Sequence, residues 1–142
     1  MAKVPSVDVQ LLLQVSAGPT TASDARRALE GLRNYVSTNV FEDVRLLVTE
    51  LVTNSVRHAR LNVGDHVDVS IDCTGARTHV EVADPGPGFQ PPIRTAESAM
   101  GSGWGLFLVS QIADRWGATN GAESFVWFEI DRYEEMIDLR RA

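Results

Sequence analysis

The chain has 142 residues, 44% hydrophobic and 23% charged, a balance that suits one folded domain and argues against bulk disorder. With 19 acidic against 13 basic residues the formal charge is −6, and without clustered Lys and Arg this argues against nucleic acid as the main partner. One cysteine, Cys73, excludes internal disulfides and a Cys-rich zinc site; no apolar run approaches the roughly 18 residues of a membrane span, and the N-terminus lacks a signal-peptide core, so a reducing cytoplasm is expected.

Val9, Leu11, Leu13 and Val15 alternate with Asp8, Gln10, Leu12 and Gln14, which predicts a first strand ended by Ala17-Gly18-Pro19-Thr20. Leu12 is the one break in the alternation. Thr21 or Ser23 is expected to cap a helix with Ala25, Ala28, Leu29, Leu32 and Val36 at helical spacing, interrupted by Ser37-Thr38-Asn39. A second helix is expected from about Glu42 to about His58, with Val44, Leu47, Val48, Leu51 and Val52 as its buried stripe. After a turn at Asn62 and Gly64-Asp65, two alternating runs at 66–73 and 78–83 predict an antiparallel hairpin. Val67, Val69, Ile71 and Cys73 share one of its faces, with Cys73 as a small buried residue.

Between Asp84 and Gly105, Pro85, Pro87, Pro91 and Pro92 and the interspersed glycines forbid a regular element. A third helix is expected from near Gly105 through Leu106, Val109, Ile112, Ala113 and Trp116, with Gly117 as its C-cap, and a last strand over 125–130. The order is strand, helix, helix, hairpin, glycine-rich loop, helix, strand. It predicts an α+β two-layer sandwich, helices on one face of a mixed, mostly antiparallel sheet. One domain is expected over 1–142, with its core at about 9–130 and a charged tail from 131.

Three segments carry candidate chemistry. Glu50 and Asn54 lie four apart on the second helix, and His58 continues their row. Such a row is either a solvated face or a site in which Asn54 coordinates a hard cation such as Mg²⁺ while Glu50 orients or deprotonates a nucleophile. Asp84-Pro85-Gly86-Pro87-Gly88 follows a strand directly. It is either an ordinary turn or a place where a carboxylate accepts from an exocyclic amine and glycines admit a planar base. Gly101-Ser102-Gly103-Trp104-Gly105-Leu106 opens a helix, where free N–H groups and the dipole suit phosphate. It does not open a βαβ unit and has no Gly-Lys-Ser/Thr, which excludes a dinucleotide-binding Rossmann motif and a Walker A loop.

In this order the three segments resemble the N, G1 and G2 boxes of the histidine-kinase-like ATPase superfamily, over residues of about 9 to 130. Glu50 to Ala59, Gly103 to Gly117 and Val126-Trp127-Phe128-Glu129 look most like anti-sigma factor serine kinases of the actinobacterial type. The resemblance implies ATP bound between helix and lid, Mg²⁺ on Asn54 and the adenine amine on Asp84, with Gly86 and Gly88 beside the base. It further implies that Gly101, Gly103, Gly105 and Leu106 flank the phosphates and that Glu50 acts as base toward a seryl hydroxyl. The lid, 89–100, has one cation, Arg94, as a γ-phosphate clamp. Trp104, Trp116, Trp127 and Phe128 read as core or lid packing, Ser124 as a strand-edge serine, His58 as a helix-end residue, and His66 and His79 as polar-face residues.

Two functions follow. One is an ATP-binding anti-sigma regulator that phosphorylates a serine of an anti-anti-sigma (STAS-type) protein. The other is a non-catalytic ATP-binding module that sequesters a sigma factor or other partner. No direct nucleic acid and no membrane is expected in either, and the resemblance is compatible with a homodimer. A sensor histidine kinase is disfavoured, because no dimerisation helices precede the boxes.

Overall fold

Strict alternation builds the sheet. A computed structural model describes residues 9–58, 61–62, 64–84, 104–119 and 124–131. Its elements are β1 (Val9–Ser16), α1 (Thr21–Ala28), a 3₁₀ turn (Leu29–Leu32), α2 (Thr38–His58), β2 (His66–Cys73), β3 (Arg77–Asp84), α3 (Trp104–Ile112), β4 (Arg115–Thr119) and β5 (Ser124–Asp131). The five strands lie in the order β1-β2-β3-β5-β4, and all four pairings are antiparallel, with no parallel pair among the described strands.

Because side chains alternate between faces, Val67, Val69, Ile71, Cys73, Val80, Val82, Val126, Phe128 and Ile130 fall on one face, and all are buried. The helical layer covers that face. Phe41, Val44, Leu47, Val48 and Val52 of α2 are fully buried, joined by Ala25 and Leu29 from the first helical segment and Val109 from α3. Each large side chain contributes roughly 1.5–3 kcal/mol on burial, so this single interface carries the fold. The α+β sandwich expected from the sequence is the architecture observed. The break at Leu12 also has its reason: β1 is an edge strand and Leu12 points to the uncovered face, 70% exposed.

The element boundaries shift in three places. The first helix stops at Ala28 and tightens into 3₁₀ geometry, because Leu29 and Leu32, three apart, are both buried, and a three-residue repeat aligns them. The second helix begins at Thr38 rather than Glu42. The Val40 N–H donates to Ser37 Oγ at 3.2 Å and the Phe41 N–H to the Ser37 carbonyl at 2.9 Å, so Ser37 is the cap of α2. The third helix ends at Ile112. After the last helical bond, Ala113 N–H to the Val109 carbonyl, the Asp114 N–H donates to the Glu129 carbonyl and draws the chain into β4. Gly117 is therefore a strand residue and not a helix cap. A Cβ there would come within 2.6 Å of the Trp127 indole nitrogen, so only glycine lets β4 lie against that ring.

Trp127 packs on the outer face of the sheet, while Phe128 is fully buried in the core; the alternation of β5 separates them. The indole stacks on the His79 ring at 5.7 Å between centroids. His79 sits among carboxylates, Nδ1 at 2.9 Å from Glu129 and Nε2 at 2.9 Å from Glu81. Asp72 faces it in register from β2. Arg115 donates to Glu129 and Asp131, and Arg77 pairs with the same two carboxylates. A neutral imidazole has one N–H, so two carboxylate partners require imidazolium. Burial alone would lower the His79 pKa, but the hydrogen bonds to Glu81 and Glu129 outweigh it and hold the pKa above the ordinary value.

Candidate functional site

The C-terminal half of α2 presents Leu51, Asn54 and Ser55 on one stripe, three and four residues apart. The end of β3 brings Val82 and Asp84 up to that stripe, and the first turn of α3 brings Leu106. Together with Phe125 and Val126 these side chains wall a narrow cavity. The cavity encloses about 10 Å³, room for one water, so a planar base occupies it only when the walls part.

Asp84 is 4% exposed. A carboxylate at such a depth is costly unless a donor meets it, and Asp84 does have an interaction partner in the fold. Asp84 also borders a second cavity, about 220 Å³, on the other side of β3 with Gln14, Asp65, His66 and Asp68. Two further carboxylates in those walls repel phosphate, so the α2 side is the one that suits an anionic ligand.

Gly105 is the point where α3 meets α2. A Cβ placed on it would come within 2.4 Å of the Asn54 amide nitrogen and 3.5 Å of the Glu50 carbonyl oxygen. Real Cβ atoms do not approach that closely, so the absence of a side chain at 105 makes room for the Asn54 carboxamide. The close approach seats the N-terminus of α3, whose first turn carries no acidic residue, directly on Asn54. A helix N-terminus beside a carboxamide oxygen suits an anion and its hard cation together. Among the described residues no three His, Cys, Asp or Glu side chains cluster to hold a metal by themselves. Among the described residues a cation here would take its protein oxygen from Asn54, with phosphate and water as further ligands.

The structure thus brings together Asn54, Asp84, Gly105 and Leu106. Glu50 lies half-buried one turn before Asn54, with its backbone at the α2–α3 contact and its side chain outside the cavity wall. Gly86, Gly88, Arg94, Gly101 and Gly103 lie outside the described residues, as does the 89–100 lid. Sequence reasoning passed over Ser55, 5% exposed in the same wall. Its signal was legible: a hydroxyl four residues after Leu51 and adjacent to Asn54, on the same stripe.

A profile of the histidine kinase-like ATPase domain matches residues 15–128, a span that contains every one of these positions. The chain belongs to that family. Serine-protein kinase RsbW of Oceanobacillus iheyensis is 29% identical to this histidine kinase-like ATPase over 141 residues, 89% of either chain. The protein of the same name from Listeria innocua is 30% identical over 119 residues, 74% of this chain and 76% of its own, and so is that of Listeria monocytogenes. ATP binding is what membership of the ATPase family implies. The donor set fits it: an acceptor at Asp84 for the base, a helix N-terminus for phosphate and an oxygen at Asn54 for Mg²⁺. No described helix of this family member is long and apolar enough to cross a membrane.

Proposed function

We propose that this chain is a cytoplasmic, Mg²⁺-dependent ATP-binding anti-sigma regulator that phosphorylates a serine of an anti-anti-sigma protein of the STAS type and so controls the availability of a sigma factor. The observation that supports this reading is the seat of Gly105 on Asn54 beside the buried Asp84, which brings a helix N-terminus, a carboxamide and a carboxylate together. The similarity to proteins named serine-protein kinase supports the choice of serine as acceptor.

In this reading Asp84 accepts a hydrogen bond from the adenine 6-amine. Asn54 holds the cation, and the N–H groups opening α3 face the phosphates. Glu50 accepts the proton of the incoming seryl hydroxyl. ATP supplies the phosphoryl group: the serine Oγ–P bond forms, the bridging P–O bond breaks, and ADP leaves. Gly86 and Gly88 let the backbone approach the base, Gly101 and Gly103 continue the phosphate cradle, and Arg94 clamps the γ-phosphate.

The test is phosphate incorporation into the STAS-type protein recovered with the chain from its own cell. Wild type is compared with Glu50→Gln at matched ATP occupancy. The variant is expected to bind ATP normally and to transfer roughly 10²–10⁴-fold more slowly, the usual contribution of a positioned general base. Equal transfer by both proteins removes Glu50 from the mechanism. No transfer by wild-type protein that binds ATP and its partner favours the sequestering module instead.

A further inference from the structure

The outer face of the sheet, opposite to the helices, carries a cavity of about 440 Å³ that no helix among the described residues covers. Leu12, Ala83 and Phe125 give it apolar walls, and Asp68, Ser70 and Glu81 give it polar ones. Leu12 stands beside Ser70 and Ser70 beside Glu81 in the strand register, so the cavity crosses β1, β2 and β3 toward β5. Further along β2, Asp72 has one carboxylate oxygen, Oδ1, shut off from solvent and without a hydrogen-bond donor among the described residues. A carboxylate oxygen removed from water needs such a donor. The arginines of this face are already engaged, since Arg77 and Arg115 both pair with Glu129 and Asp131. Among the described residues Asp68 is met by Gln14 and Glu81 by His79, and no lysine or arginine pairs with Asp68, Asp72 or Glu81. The face therefore calls for apolar side chains and cations together.

We propose that residues 132–142 of the same chain occupy this face as an amphipathic helix. Their sequence is Arg132-Tyr133-Glu134-Glu135-Met136-Ile137-Asp138-Leu139-Arg140-Arg141-Ala142. Tyr133, Met136, Ile137 and Arg140 recur at helical spacing and share one side, while Glu134, Glu135 and Asp138 fall away from it. The apolar side of the segment thus bears a cation and no acid. That is the complement of a sheet face whose apolar walls are set among Asp68, Asp72 and Glu81. The reach also fits. β5 ends at Asp131, in register with Arg77, and the way back along it to Phe125 is roughly 20 Å. The strands from β5 to β1 add roughly 14 Å sideways. A helix over 132–142 is about 16 Å long, so Met136 and Ile137 lie over the middle of the face and the Arg140 side chain extends toward Asp68 and Glu81. The opposite face of the sheet holds Asp84, so this contact is separate from the candidate nucleotide site.

The test is the rate at which N-ethylmaleimide labels a thiol in the cavity of the full-length chain. Ser70→Cys, nearly isosteric, places that thiol between Leu12 and Glu81. The native Cys73 is fully buried, so its silence reports that each protein is folded. Ser70→Cys is expected to label slowly, at a rate independent of protein concentration. Adding Met136→Glu should speed labelling by about 10-fold or more, the worth of one apolar side chain withdrawn from water. Adding Arg140→Asp instead should also speed it, and Asp68→Arg on top of Arg140→Asp should slow it again. Four results each overturn the proposal: fast labelling indifferent to Met136→Glu, protection that survives Met136→Glu, no rescue by Asp68→Arg, or protection that grows with protein concentration. The last of these assigns the face to a second copy of the chain instead of its own C-terminal segment.

Discussion

Replacing Gly105 by alanine separates the structural from the functional worth of the α2–α3 contact. The new methyl group lands 2.4 Å from the Asn54 amide nitrogen and 3.5 Å from the Glu50 carbonyl oxygen. The second distance is ordinary contact, and only the first must be relieved. The obstructing atom is the tip of a side chain, so Asn54 swings aside instead of the helices parting. An off-rotamer side chain costs about 0.5–1.5 kcal/mol, and alanine in place of glycine returns up to about 1 kcal/mol of helix propensity. The two nearly cancel, so stability should change by less than about 1 kcal/mol. Binding should not be spared. An Asn54 carboxamide pushed from the cavity loses a contact to a charged group worth roughly 1.5–3 kcal/mol, about 10- to 100-fold in affinity. The assay pairs urea denaturation with titration of a fluorescent ATP analogue, with and without Mg²⁺, for wild type, Gly105→Ala, Asn54→Ala and the double variant. If Gly105 acts through Asn54, the double variant binds no more weakly than Asn54→Ala alone. Losses that add, or a Gly105→Ala protein that binds like wild type, would refute the reasoning.

Asp84→Asn should weaken ATP by about 10- to 100-fold with the fold intact, since the amide now sets a donor toward the adenine donor; unchanged calorimetric affinity sinks the assignment. His79 gives a pH signature remote from the site. Its folded pKa is raised above the ordinary 6.5, so its contribution to stability is complete below about 6.5 and is lost as pH rises through the higher folded value. The destabilisation by His79→Gln, measured by urea midpoint, should therefore be larger at pH 5.5 than at pH 9; a difference independent of pH contradicts the imidazolium cluster.

Local periodicity determined much of this protein. The alternation through β2 and β3 set both register and buried face, because one slip would turn Val67, Val69 and Ile71 into water. The α2 stripe and the order of the three motif segments were likewise visible, since a 3.6-residue period and a glycine-rich break are properties of the chain itself. Where partners decide, the sequence was silent or misleading. Arg115–Thr119 has no alternation and continues a helical pattern. It is a strand because β5 offers it an edge, an Asp114 N–H partner in Glu129 and an indole for Gly117 to lie against. Trp127 reads as core or lid packing, and the parity of β5 puts it on the outer face of the sheet. The site depended most on tertiary structure. Asn54 and Gly105 are distant in sequence, and no window that covers one reaches the other. Only the packing of α3 on α2 shows that the glycine is there to make room for the carboxamide, and that Ser55 shares a wall with Asp84.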